Sequence, residues 1–226
     1  MKVLNLYAGI GGNRKLWDDV EVTAVEIDPK IADVYKTLFP KDEIIISDAH
    51  QYLLDHYKEY DFIWSSPPCP THSRSNIFLN AQGCIRYPDM NLYQEIIFLS
   101  QWYEGLYCVE NVISYYDPLI KPQTLDRHYF WSNFMITAFR SPKRDFSITN
   151  ARQSTRVANE DYSRKLAEFH GYDWSEELGN DFQIEVLKNA VYPPLGKHIL
   201  DCARGNTQQS LSSFSITKRM EAGESG

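Results

Sequence analysis

KVLNLYAGIGGNRKLW, residues 2–17, begins as a short apolar run and then breaks into three closely spaced glycines, Gly9, Gly11 and Gly12. A short apolar run bounded by glycines reads as a buried strand, and the glycines let the backbone turn sharply and approach a ligand closely. Outward from this start the pattern repeats: a polar helical stretch, VEVTAVEID, a helix, DEIIIS, a helix, then YDFIWSSPP. That order is βαβαβαβ, the signature of an α/β fold with a mostly parallel central sheet and helices on both faces. In such sheets ligands bind at the carboxyl ends of the strands, so the residues there are the ones to read for chemistry.

Farther along, NLYQEIIFLSQWYE reads as a helix, LYCVENV as an apolar strand and HYFWSNFMITAF as strand-like aromatic and β-branched sequence. A basic, Ser/Thr/Asn-containing stretch follows, then acidic residues, then the apolar NAVYPPLGKHILDCA. The expected organisation is a single catalytic domain over residues 1–204 with an insert at about 140–186, and a polar, loose tail over 205–226. The amino terminus reads as neither a signal peptide nor a membrane span, so a cytoplasmic protein with no membrane partner is expected. Cys69, Cys84, Cys108 and Cys202 lie far apart without a metal-ligand pattern, so reduced thiols and no metal are expected.

The net charge of −7 argues against a uniformly nucleic-acid-binding surface. Between Arg140 and Lys165, however, seven basic residues face three acidic ones, a stretch suited to phosphate. Arg152 and Arg156 within it are the candidate phosphate contacts.

The strand ends carry the chemistry. Glu26 closes the second strand, where a carboxylate can bind both hydroxyls of a ribose and would repel a 2′-phosphate. Asp48 closes the third and either accepts a hydrogen bond from an adenine amino group or caps the following helix. The fourth strand runs into SSPPCPTHS, which sets the Cys69 thiol behind two prolines that stiffen its loop. The fifth ends in VENV, so Glu110 and Asn111 emerge from an apolar run at the same edge. A desolvated carboxylate there can hold or share a proton with an aromatic ring nitrogen.

With AGIGG, PPC and ENV at the ends of strands one, four and five, the sequence resembles the cytosine-5 DNA methyltransferases. The resemblance extends over Tyr7 to Gly12, VEID around Glu26, SDA at Ser47 to Ala49, Pro67 to Cys69, Leu92, Glu110 to Val112 and NAVYPPL at Asn189 to Leu195. It implies a Rossmann-like methyltransferase fold with S-adenosylmethionine as the cofactor. By the same resemblance Tyr7, Ala8, Gly9, Gly11, Gly12, Glu26, Ile27, Asp48, Ala49, Pro67, Leu92, Asn189, Ala190 and Val191 hold that cofactor. Cys69 attacks carbon 6 of a flipped cytosine, Glu110 binds its ring nitrogen 3 and exocyclic amine, and Arg127 binds its 2-oxo group. Pro68, Ser73, Asn111, Val112 and Gln123 complete the substrate side.

The chain also departs from the family. Where the family has P-Q-x-R-x-R, this sequence has PQTLDR, with Leu125 at the first arginine position, so one support of the active site is absent or supplied from elsewhere. Pro70 follows the cysteine in place of the usual Gln, and His72 stands where an aromatic is common. Lys188 replaces a glycine and reads first as a lysine paired with a surface acid; the alternative is an ammonium beside the cofactor, where it would admit a carboxylated analogue and a modified methyl. Only about fifty-five residues separate Asn133 from Lys188, where the family carries a substantial target-recognition region. A minimal, phage-like or orphan enzyme acting on double-stranded DNA is therefore expected, with low sequence specificity unless a specificity-conferring protein partner joins it. The same chemistry on RNA or single-stranded DNA, and a catalytically silent cofactor-binding subunit, are the competing readings.

Overall fold

The computed structural model describes residues 1–143, 156–173 and 179–205, without the side chains of 156–159. Seven strands form one sheet: β1 (Lys2–Leu6), β2 (Glu21–Glu26), β3 (Glu43–Ile46), β4 (Phe62–Ser65), β5 (Leu106–Val112), β6 (Gln123–Leu125) and β7 (His128–Ser132). Their order is β3-β2-β1-β4-β5-β7-β6. The first five pair in parallel, whereas β7 runs antiparallel to both β5 and β6. All four residues of β4 and the last four of β1 are buried, as central strands covered on both faces must be. The strand order reverses between β1 and β4, which opens a crevice at their carboxyl ends.

Helices α1 (Pro29–Leu38) and α2 (Ala49–His56) begin at aspartate caps. Asp28 accepts the backbone N–H of Lys30 at 2.8 Å and Asp48 that of Gln51 at 2.8 Å, satisfying donors that a helix start leaves free. A short helix α3 (Asn76–Ala81) follows the Cys69 loop, and α4 (Asn91–Trp102) returns the chain to β5. Beyond the sheet lie α5 (Arg156–His170), α6 (Asn180–Asn189) and a last helix, α7, over 193–205.

Two sequence expectations are corrected. The stretch after the glycines is a series of turns rather than a helix. Tertiary bonds hold it there: Asn13 and Asn5 exchange side-chain hydrogen bonds, Arg14 forks onto Asp42 at 2.7 and 2.9 Å, and the Trp17 indole donates to the Gly196 carbonyl. The glycine turn therefore does not sit at a helix N-terminus. Strand β7 also stops at Ser132, short of the expected run to Phe139.

The segment expected as an insert at about 140–186 contributes α5 and the first part of α6. Leu166, Ala167, Ile184, Val186 and Leu187 of α5 and α6 share one buried cluster with Ile10 and Val34, so the two helices pack on the cofactor side of the sheet. The basic stretch is partly neutralised at home. Arg164 pairs with Asp161 and Glu168, and Lys165 with Asp161. Arg152 and residues 206–226 lie outside the described residues, and Arg156 is described only as the first backbone position of α5.

Candidate active site

At the switch point, the backbone from Tyr7 to Gly12 lines a pocket closed by Ser66 after β4 and by Glu185, Asn189, Ala190 and Val191. Gly9 has φ +55° with nothing within 4 Å of where a Cβ would project, so the turn there borders open space that a side chain would fill. Gly12 serves a different purpose. A Cβ there would meet the Val191 carbonyl oxygen at 2.4 Å, so the missing side chain is what lets residues 190–191 dock on the turn. Gly11 at φ +76° likewise makes room for Tyr35 and Phe39 rather than for a ligand.

Glu26 spans the turn: one oxygen accepts Gly9 N–H at 2.9 Å and the other Asp28 N–H at 3.0 Å. Each oxygen keeps a lone pair, so the carboxylate can still accept hydroxyl donors. Asp48 is the N-cap of α2, the structural one of its two readings, and is exposed. Ile27 beside it is also exposed, while Ala49 is buried. Leu92 is a core residue, 2% exposed and packed with Tyr93, Ile96 and Leu99, and it is not among the pocket's lining residues. Lys188 is not among them either. Its ammonium sits 5.5 Å from the Tyr162 ring centroid, and burial pulls its pKa down. The charged lining residue is Glu185, one helical turn from Asn189 on the same face of α6. Pocket and carboxylates suit a cationic sulfonium ligand with a ribose, which S-adenosylmethionine is.

The reacting side is built from adjacent strands. β4 delivers Cys69 and β5 delivers Glu110, and the Asn111 amide donates to the Pro67 carbonyl at 2.9 Å, tying the proline loop to the end of β5. Pro67 is buried and Pro68 exposed. Ser73 bridges Ser114, and the carbonyl of Cys69 accepts both His72 N–H and Ser73 N–H, so the loop winds into a turn directly after the thiol. Burial pushes the Cys69 thiol up, and the nearby Glu110 carboxylate adds to the push. The resting group at neutral pH is therefore the thiol, and its deprotonation must accompany substrate engagement or neutralisation of Glu110.

Residues 1–97 match the family described as C-5 cytosine-specific DNA methylase. A tRNA (cytosine(38)-C(5))-methyltransferase of Spodoptera frugiperda is 34% identical over 86 residues, 35% of this chain and 26% of that protein. The amino-terminal part of the chain is thus similar to cytosine-5 methyltransferases. The matched stretch spans about a quarter of that relative's length. In fold, the chain resembles the Entamoeba histolytica methyltransferase EhMeth, with TM-score 0.58 and 11% identity over 91% of this chain and 98% of that one. A mutant of Spodoptera frugiperda DNMT2 gives TM-score 0.58 and 14% identity over 89% of this chain and 99% of that one. The architecture is thus a Rossmann-like methyltransferase fold, and at these identities the likeness concerns the fold alone.

Among the residues expected on the substrate side, Arg127, Gln123 and Val112 each have local surroundings that the structure defines. Arg127 lies in the two-residue turn between β6 and β7, where Asp126 takes φ +54°, and it lines a separate cleft of about 360 Å³ with Arg140 and Lys143. No hydrogen bond or ion pair among the described residues joins it to Glu110. Gln123 is spent on structure: its amide donates to Ser132 Oγ and the Phe134 carbonyl and accepts Ile136 N–H, which fastens the sheet's edge. Val112 and its neighbour Asn111 are held by the Asn111 Oδ1 bond to Val112 N–H.

The structure also adds residues that the sequence reading passed over. Glu95 is fully buried and accepts Tyr7 Oη–H at 2.6 Å, Ser65 Oγ–H at 2.6 Å and His50 Nδ1 at 3.0 Å. This one carboxylate joins the glycine turn, the end of β4, α2 and α4. The signal was present, because Glu95 falls between Leu92 and Leu99 on the apolar stripe of α4. His128 is the other addition, with Nε2 3.6 Å from Glu110 Oε1.

Proposed function

We propose that this chain methylates carbon 5 of cytosine in nucleic acid, with DNA as the substrate and Cys69 as the covalent nucleophile. The observation that carries the reading is the delivery of a partly buried thiol and a strand-end carboxylate from neighbouring parallel strands, next to a glycine-turn pocket. S-adenosylmethionine supplies the methyl group. The glycine turn from Tyr7 to Gly12 would border the cofactor's methionine part, and Glu26 would accept from the ribose. Cys69 Sγ bonds to carbon 6 while Glu110 holds a proton at ring nitrogen 3, so the electrons of the 5,6 double bond become available at carbon 5. After methylation, loss of the carbon 5 proton restores the double bond and expels the sulfur. A base must leave a duplex to reach Cys69, so flipping is part of the proposal.

RNA is the second reading, favoured by the tRNA methyltransferase that the amino-terminal part resembles. Labelled cofactor offered with duplex DNA, single-stranded DNA and tRNA separates the two. Methyl incorporation in duplex DNA, absent in Cys69→Ala, supports the proposal. Incorporation in tRNA alone moves the substrate to RNA, and incorporation in none of the three refutes the function. In a 5-fluorocytosine oligonucleotide, whose fluorine blocks the final elimination, the covalent adduct is expected on Cys69. An adduct on Cys84, Cys108 or Cys202 would refute the assignment.

A further inference from the structure

The sequence has Leu125 where the family pattern places an arginine, and the hairpin register shows what stands next to it. On β6 and β7, Leu125 is the direct cross-strand partner of His128. On the other side of β7, His128 is opposite Val112, and Glu110 is opposite Phe130. Side chains two apart on a strand share a face, so Glu110, Val112, His128 and Leu125 all lie on one face of the sheet. Glu110 and His128 are diagonal neighbours across the β5–β7 pair, a spacing within reach of long side chains. The imidazole Nε2 is 3.6 Å from Glu110 Oε1, an ion pair when the ring is protonated, while its Nδ1 is buried without a hydrogen-bond partner. Among the described residues no Lys or Arg pairs with Glu110.

We infer that His128 is the positioning residue for the Glu110 carboxylate, in the place left open by Leu125. This rests on the cytosine-5 methyltransferase reading proposed above. A carboxylate between two apolar strands needs a cation or a donor to fix its orientation, since an unpaired buried charge is costly. An arginine at 125 would reach the same face from one strand farther out, and His128 brings its Nε2 to 3.6 Å from the carboxylate from the nearer strand, an ion-pair distance when the ring is protonated. The arrangement also bears on the thiol. When protonated, the imidazole offsets the Glu110 field that adds to holding Cys69 as the thiol.

The test is steady-state kinetics on the full chain, using whichever of duplex DNA, single-stranded DNA or tRNA the wild type methylates. His128→Ala is expected to lower kcat by about tenfold or more with both KM values nearly unchanged, the sign of an interaction made in the transition state. Leu125→Arg in the His128→Ala background is expected to recover most of that loss, because the guanidinium restores a fixed donor to the same face. Adding His128→Ala to Glu110→Gln should cost little more, since the histidine acts through the carboxylate. Circular dichroism of each variant shows whether it is folded. Unchanged kcat in folded His128→Ala, no recovery by Leu125→Arg, or full additivity with Glu110→Gln each overturns the inference while leaving the proposed function standing. A wild type inactive on all three polymers overturns both.

Discussion

Replacing Glu95 by Gln tests whether a single buried charge holds the cofactor side of the fold together. The substitution keeps the shape. Tyr7 and His50 retain an oxygen acceptor, and the Ser65 hydroxyl can turn from donor to acceptor, so what is lost is the negative charge. The hydrogen bond to Glu95 is the main cause raising the His50 pKa above the usual imidazole value, opposed by desolvation and aided by the carboxylate's charge. A group that binds its proton more tightly when folded stabilises the protein fully below the ordinary imidazole range. That contribution fades as pH rises through the raised folded value. A hydrogen bond to a charged group contributes about 1.5–3 kcal/mol, and partial exposure of His50 argues for the lower figure. Thermal unfolding of Glu95→Gln at about pH 6 should therefore fall roughly 3–6 °C below wild type. By about pH 9 the gap should narrow by roughly 1 kcal/mol as the imidazole component disappears. An equal gap at both pH values would show that Glu95 matters through packing and neutral hydrogen bonds, and would refute the charge argument.

Because burial and Glu110 both hold Cys69 in its thiol form, iodoacetamide should label exposed Cys84 faster than Cys69 at mildly alkaline pH. Glu110→Gln should speed the labelling of Cys69, and peptide mass spectrometry showing no change would contradict the electrostatic coupling. Gly12→Ala should destabilise the fold by about 1–3 kcal/mol, because its methyl would strike the Val191 carbonyl; an unchanged melting temperature would mean that residues 190–191 shift at no cost. Glu185→Gln should weaken S-adenosylmethionine binding by roughly fivefold, through loss of the pocket's charged lining residue, measured by calorimetry. An equal affinity would remove Glu185 from the site.

The five parallel strands were legible in the sequence because each is a short apolar run punctuated by Gly, Pro or Asp. The period and the breakers of such runs are local properties. So were the thiol behind two prolines and the carboxylate ending an apolar strand, since both conflict with the apolar sequence around them. The first helix was misread because Asn13, Arg14 and Trp17 are held by Asn5, Asp42 and Gly196, partners from 8 to 179 residues away that no local propensity reports. Glu95 stood visibly on an apolar stripe, but its acceptance by Tyr7, Ser65 and His50 required four elements to meet. Leu125 could be seen as a missing arginine, whereas His128 as its neighbour depended on a two-residue turn at Asp126 and Arg127, which sets the register of β6 on β7. Sequence alone thus determined which groups reach the sheet's edge, because alternation and strand ends are written along the chain. Which of them touch was decided by strand order and register, because those bring together residues that the chain itself keeps far apart.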